Sequence, residues 1–317
     1  MLCTDDFFRG GDLRSAINAY SSALDMDEQM LGCIANRSVC YLKLNMPFEC
    51  KADCTAGIAI IENGVYPEAE VFANTCMLIK LLLRRATVGG QLGLFNDALD
   101  DLRSVHSEVS KFSETSQNFS SGALPSGLLP NGVTTANLDM DISRLERIVL
   151  AEKLKKEGDS LFSEKNLNAA IENYTKALSL VPYHVSCLSN RSACFLAIGR
   201  HEDCLTDCDL ALEYLSLDTS AVGVGVHSAV AGAKSSTYIS GMNAVAAILP
   251  PVGSEKRKSW TLKTLTRRGA THSLTGNLQS AIKDFSKAVA MDPSNEALKS
   301  DLNKLMIMKE NKALKSS

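Results

Sequence analysis

Two pairs of charged residues in the second half of this chain stand four apart, Lys155 with Asp159 and Lys263 with Arg267, the spacing that brings side chains together on one helical turn. Two cations so placed repel modestly unless an anion bridges them, which makes Lys263 and Arg267 candidates for holding a carboxylate. Asn190, in the run Asn190-Arg191-Ser192, adds an amide donor, and Asp159 can instead pair with Lys155. The first half offers a matching set: Asn36 within Asn36-Arg37-Ser38, then Lys80 and Arg84, again one turn apart. A charge-assisted hydrogen bond to a carboxylate contributes roughly 1.5–3 kcal/mol, so a few of them reach micromolar binding, near −8 kcal/mol. The plainer alternative for all these residues is a solvated charged face.

The halves match because the chain is a duplication. Leu13–Cys54 returns as Leu167–Cys208 at a constant offset of 154 residues, with Cys33, Cys40, Cys50 and Cys54 reappearing as Cys187, Cys194, Cys204 and Cys208. Cys50 and Cys54 lie one helical turn apart, as do Cys204 and Cys208, with Gly57 or Ala211 three residues on. These are positions for helices that cross closely, where a free thiol acts as a small apolar side chain. The C-x-x-C knuckles of zinc modules are missing, so no metal or other cofactor is expected.

The frame is clearest from Ala151 onward, where Gly158, Ala170, Tyr174, Ala177 and Pro182 fall at relative positions 8, 20, 24, 27 and 32 of a unit of about 34 residues. Small residues at the first, second and fourth of these positions let two antiparallel helices approach, the aromatic fills the gap between units, and proline stops the second helix. This is the pattern of a tetratricopeptide repeat (TPR), and the chain resembles that family. The frame recurs at Ser192, Cys204, Cys208 and Ala211, and again at Gly269, Ala281, Phe285, Ala288 and Pro293. In the first half Ala16, Tyr20 and Ala23 mark one repeat, Ser38, Cys50, Cys54 and Gly57 a second, Ala86, Ala98 and Leu102 a third. The expected fold is therefore all-α: two TPR superhelical domains of three helix-hairpin repeats each, with a C-terminal capping helix over Asn295–Asn311 whose buried face is Ala297, Leu298, Leu302, Leu305 and Met306.

The expected division is a first domain over 1–106, a flexible linker over 107–145 and a second domain over 146–317 with an inserted loop at 216–253. Ser, Gly, Asn and Pro dominate Ser107–Thr135, whereas Ala, Gly, Val and Ser dominate Ser216–Gly253. Within the insertion, the apolar run Ala244–Leu249 is a candidate for a short helix or a docking segment. The first helix of the first repeat would begin before Met1, so the chain reads as a fragment or mis-started product with a truncated opening helix.

At 317 residues, 45% hydrophobic and 22% charged, the chain can bury two ordinary cores. A formal net charge of −3 argues against nucleic acid as a partner, and no apolar run approaches the roughly 20 residues that span a bilayer. A secretory signal is lacking at Met1-Leu2-Cys3-Thr4-Asp5-Asp6, so the expected location is the cytoplasm. The five histidines show no metal-ligand spacing, His184 and His201 read as surface residues at repeat turns, and no nucleophile or phosphate-cradling motif appears, so no catalysis is expected.

The first helices of stacked repeats line a concave groove, which places Lys155, Asp159, Asn190, Lys263 and Arg267 together. Lys155-Lys156-Glu157-Gly158-Asp159, Asn190-Arg191-Ser192 and Lys263-x-x-x-Arg267-Arg268-Gly269 resemble the carboxylate clamp of TPR cochaperones, which hold the C-terminal Glu-Glu-Val-Asp tails of heat-shock chaperones. The resemblance implies that Lys155, Asn190, Lys263 and Arg267 bind the tail's terminal and side-chain carboxylates. Asp159 departs from the family's asparagine: two carboxylates roughly 4 Å apart are opposed by about 4 kcal/mol at an effective dielectric near 20, half of a micromolar binding energy. The first half keeps Asn36, Lys80 and Arg84, lacks the opening lysine, and has Asp5 at the asparagine position. Lys153–Leu305 further resembles the C-terminal TPR domain of dynein axonemal assembly factors, the group containing the dyslexia-susceptibility candidate, with sperm-associated antigen proteins as near relatives. The residues that carry this are Leu212-Glu213, Leu249-Pro250-Pro251-Val252 and Met291-Asp292-Pro293-Ser294-Asn295. It implies a cytoplasmic cochaperone with dynein subunits as clients in dynein-arm pre-assembly for motile cilia. The competing expectation is a structural TPR scaffold that binds internal segments of its partners.

Overall fold

The computed structural model describes residues 4–116, 125–217, 249–250 and 252–314. Among the described residues there are thirteen helices and no strand. They are α1 (Thr4–Arg9), α2 (Leu13–Met26), α3 (Leu31–Lys43), α4 (Pro47–Asn63), α5 (Glu68–Gln91), α6 (Phe95–Ser116), α7 (Thr135–Ser163), α8 (Leu167–Leu180), α9 (Val185–Ala197), α10 (His201–Ser216), α11 (Glu255–Leu274), α12 (Leu278–Met291) and α13 (Glu296–Leu314). They form two compact units, whose described residues are 4–146 and 147–314; the division falls within α7.

Unit 1 contains the hairpins α1/α2, α3/α4 and α5/α6, and unit 2 contains α7/α8, α9/α10 and α11/α12, followed by α13. Each hairpin turn is made by a residue in the left-handed backbone region: Gly11, Asn45, Gly93, Lys165, Gly199 and Gly276. Four are glycine, which adopts that conformation without steric cost. The second helices are then started by side-chain caps at Asp12, Asn166 and Asn277, each accepting from the backbone N–H three residues on.

Close approach within a hairpin explains the small residues of the frame. A Cβ on Gly158 would lie 2.8 Å from the Tyr174 ring, and one on Gly269 would lie 2.8 Å from the Phe285 ring. The cysteines at the same crossings are free and buried, as packing residues should be.

A second periodic device was not visible in the apolar pattern. Arg37, Arg85, Arg191 and Arg268 each form a forked pair with an aspartate 16 residues later, Asp53, Asp101, Asp207 and Asp284, with both donor distances between 2.6 and 2.9 Å. The same arginines reach back with Nη1 to the preceding hairpin, at Ser21, Thr55, Thr175 and Asp209. Each arginine therefore joins the two helices of its own repeat to the repeat before it. Burial pushes the Asp101 and Asp207 carboxyls up, against the arginine hydrogen bonds that pull them down.

Four expectations need correction. Ser107–Ser116 is the end of α6, where Val109 is buried one turn after buried Val105; the helical period outweighs the serine-rich composition. At its other end the expected linker is also helical, since α7 begins at Thr135 and buries Leu138 and Leu145. His184 is 1% exposed: it stands just before α9 with its ring buried, Nε2 3.1 Å from Glu152 Oε1 and Nδ1 3.0 Å from Ser186 Oγ. Among the described residues of α13, only Leu298 and Leu305 are buried, with Leu302 packed against them, while Ala297 and Met306 are exposed.

The loop expected at 216–253 and its candidate segment Ala244–Leu249 lie largely outside the described residues. Its two described ends are tied together by Arg257, whose guanidinium donates to the carbonyls of Leu215, Leu217 and Pro250.

Candidate functional site

In unit 2 the first helix of each hairpin, α7, α9 and α11, carries the residues singled out by spacing. Lys155 and Asp159 are one turn apart on α7, and Lys155 Nζ donates to Asp159 Oδ2 at 2.7 Å. The other carboxylate oxygen accepts from Asn190 Nδ2 of α9 at 2.8 Å and from the Tyr174 hydroxyl of α8 at 2.7 Å. Burial alone would raise Asp159, but the bonds from Lys155, Tyr174 and Asn190 outweigh it and hold the carboxyl below its ordinary value. Burial would likewise lower Lys155, and the Asp159 carboxylate overrides it and keeps the ammonium charged.

Arg267 of α11 donates from Nη1 to the Ser189 carbonyl, to Ser189 Oγ at 2.9 Å and to Ser192 Oγ at 3.1 Å. It is thereby fastened to α9 beside Asn190. Lys263 lies one turn earlier on α11 and is exposed; its carbonyl accepts from the Thr266 hydroxyl, while its ammonium has no ion-pair or hydrogen-bond partner among the described residues. Helical spacing places Lys256, Trp260, Lys263 and Arg267 on one stripe of α11, and Lys256 Nζ stands 5.2 Å above the Trp260 ring. Lys263 and Arg267 also border a recess of about 370 Å³ whose other lining residues are Leu196, Thr266, Ala270, Phe285, Leu298 and Asp301.

Unit 1 arranges its set differently. Asn36 on α3 and Lys80 on α5 are half-buried, but Arg84 is only 6% exposed. Its Nη1 donates to the Ala35 carbonyl at 3.2 Å and to Ser38 Oγ at 2.6 Å. Ala35 and Ser38 correspond through the duplication to Ser189 and Ser192, so Arg84 and Arg267 make one shared inter-repeat contact. Arg84, expected as a ligand-facing cation, points inward because its guanidinium satisfies the helix beside it.

Spacing alone missed Tyr174, Ser189 and Ser192. Tyr174 carried a signal, because the last repeat fills the same position with Phe285, and a hydroxyl in a closed gap calls for a partner.

Residues 262–295, which are most of α11, all of α12 and the turn after it, match the tetratricopeptide repeat family model. The chain carries a tetratricopeptide repeat at this place. Among curated relatives, this chain is 39% identical over 210 residues to the Hsp70-Hsp90 organizing protein of Triticum aestivum, covering 65% of this chain and 33% of that protein. Hsp70-Hsp90 organizing protein 3 of Arabidopsis thaliana is 43% identical over 212 residues, covering 65% of this chain and 34% of that protein. Sperm-associated antigen 1 of Mus musculus is 26% identical over 238 residues, covering 66% and 26%. The chain thus spans about a third or less of the length of these relatives. Among solved structures, the first TPR of Spaghetti (RPAP3) bound to HSP90 peptide SRMEEVD is similar at 20% identity and a TM-score of 0.36, covering 51% of this chain and 95% of that one.

Proposed function

We propose that unit 2 binds the acidic C-terminal tail of a heat-shock chaperone, and that the protein works as a cochaperone scaffold. The observation that carries this is the meeting of Lys155 and Asn190 at one carboxylate, with Arg267 fastened beside Asn190 and Lys263 exposed one turn away on the same helix. Three cations, Lys155, Lys263 and Arg267, against one anion, Asp159, leave the cluster with a net charge of two positive. An ammonium has three N–H donors and an amide two, so Lys155 and Asn190 can keep Asp159 and still donate to a ligand carboxylate. Asp159 then has two opposed effects: it orients both donors, and it repels the incoming charge. The names of the relatives, Hsp70-Hsp90 organizing proteins, support a chaperone as the owner of that tail.

The resemblance of Lys153–Leu305 to dynein assembly factors supports dynein subunits as clients and the cytoplasm as the place of action. No helix among the described residues is long and apolar enough to cross a membrane. The proposed role is binding without catalysis.

A second reading is a scaffold for internal segments of partner proteins. It is favoured by the engagement of Arg84 and Arg267 with neighbouring helices, which spends cations that a clamp would use. Calorimetry with a peptide ending in Glu-Glu-Val-Asp and with its C-terminally amidated form separates the two. Loss of binding on amidation supports the clamp, whereas equal binding rejects it in favour of the scaffold.

A further inference from the structure

The second helices α10 and α12 both pack against α11 and leave a furrow between them, a cavity of about 670 Å³. Its floor is apolar, Leu212 and Leu215 of α10, Leu265 of α11 and Met291 of α12, while Glu213 stands on the α10 bank and Lys287 on the α12 bank. Asp209, one turn before Glu213, is satisfied by Arg268 Nη1 at 2.6 Å. Glu213 and Lys287 are exposed, and neither the carboxylate nor the ammonium has a hydrogen-bond or ion-pair partner among the described residues. Two helices banked against a third form a seat in which a further helix packs at interaxial distances of about 8–10 Å. We propose that this furrow is a second docking surface, taking an amphipathic helix of a partner protein whose apolar stripe is edged by cations on one side and by anions on the other.

Charge complementarity selects that occupant. A stripe of apolar side chains covers the floor, a lysine or arginine on one edge meets Glu213, and a glutamate or aspartate on the other meets Lys287. A wholly apolar helix would cover two unpaired charges, and a helix with edges of one sign would meet a like charge on one bank. The opposed banks also fix the direction in which the helix lies, since turning it end for end exchanges its edges. Unit 1 has the floor residues without the charges. Counted from the forked arginines and aspartates, Ile58, Ile61 and Leu82 stand where unit 2 has Leu212, Leu215 and Leu265, but Ala59 and Ser104 stand where it has Glu213 and Lys287. The repeat therefore folds without this pair of charges. Both banks belong to second helices, whereas Lys155, Asn190, Lys263 and Arg267 belong to first helices. Docking of the helix is thus independent of whether unit 2 also holds an acidic chain end.

The test uses the full chain and a fluorescein-labelled synthetic helix, Glu-Leu-Ala-Ala-Leu-Lys-Ala three times over, whose leucines form one stripe with glutamates along one edge and lysines along the other. A control peptide carries glutamate in place of every lysine. Anisotropy titrations are expected to show roughly fivefold weaker binding of the control to the unaltered protein, and a roughly fivefold loss for the first peptide in Glu213→Lys and in Lys287→Glu, the size of an exposed ion pair. The double variant, which exchanges the charges of the banks, is expected to recover the affinity to within about twofold, because the helix then lies in the opposite direction. Equal binding by all four proteins, or displacement of the labelled helix by a Glu-Glu-Val-Asp peptide, overturns the docking surface and leaves the chain-end reading untouched. Self-association of the unaltered protein that Lys287→Glu removes, with no binding of the labelled helix, overturns it in favour of a second copy of this chain.

Discussion

Unit 1 and unit 2 descend from one sequence, yet they place equivalent arginines in different settings. Arg84 is buried against Ala35 and Ser38, whereas Arg267 makes the corresponding contact from a half-exposed position at the edge of a recess. The contrast teaches that the cation four residues after a groove lysine is first a joint between repeats. It becomes a ligand group only where the joint leaves it open to the groove.

The largest expected effect comes from what the units share. Arg191→Met strands Asp207, and Arg37→Met strands Asp53, carboxylates that are 3% and 6% exposed. Each change should cost roughly 3–5 kcal/mol in denaturant unfolding, the cost of leaving a buried charge unpaired. A loss in one unit only would show that the forked pairs are not equivalent.

Acidity should separate the units next. Burial raises the Asp141 carboxyl of unit 1 to about 6, although Arg144 lies 3.0 Å away. The unfolded carboxyl titrates near 3.8, so between those values the native state holds a proton that the unfolded state gives up. That contribution is complete below about pH 4 and lost as pH rises through about 6. Asp141→Asn should therefore stabilise the protein at pH 7 by up to about 3 kcal/mol, a gain that fades toward pH 4 in denaturant titrations. Asp159 of unit 2 is lowered instead; its contribution is present above its unfolded value and is lost only in stronger acid.

Arg84→Met should lower unfolding stability by about 1–3 kcal/mol, by unsatisfying buried acceptors, and leave the affinity for a Glu-Glu-Val-Asp peptide unchanged. Arg267→Met should show the reverse balance in the same two measurements, with at least a tenfold loss of affinity. Equal behaviour of the two variants would dissolve the contrast between the units.

The smallest effect sharpens it. Asp159→Asn should tighten that peptide about tenfold, or about 1.4 kcal/mol, measured by calorimetry. An unchanged or weaker affinity would mean that orienting Lys155 and Asn190 outweighs the repulsion.

The hairpins were legible because Gly158, Ala170 and Ala177 answer a steric requirement that recurs at fixed spacing. The arginine–aspartate forks repeat just as regularly, but a charge is read from sequence as solvated, and only the hairpin geometry brings Arg191 to Asp207. Composition misled at Ser107–Ser116, where buried Val109, one turn after buried Val105, carries the helix on. In the site, Lys155 and Asp159 were readable as a local pair on one turn. The bonds to Tyr174 and Asn190 join residues 15 and 31 positions away and depend on how three helices stack.

Trp260 is the chain's single tryptophan, and it stands on α11 one turn from Lys263. Indole emission, excited beyond tyrosine absorption, therefore originates in unit 2 alone. The natural protein carries its own optical reporter for one half, against which the other half is dark.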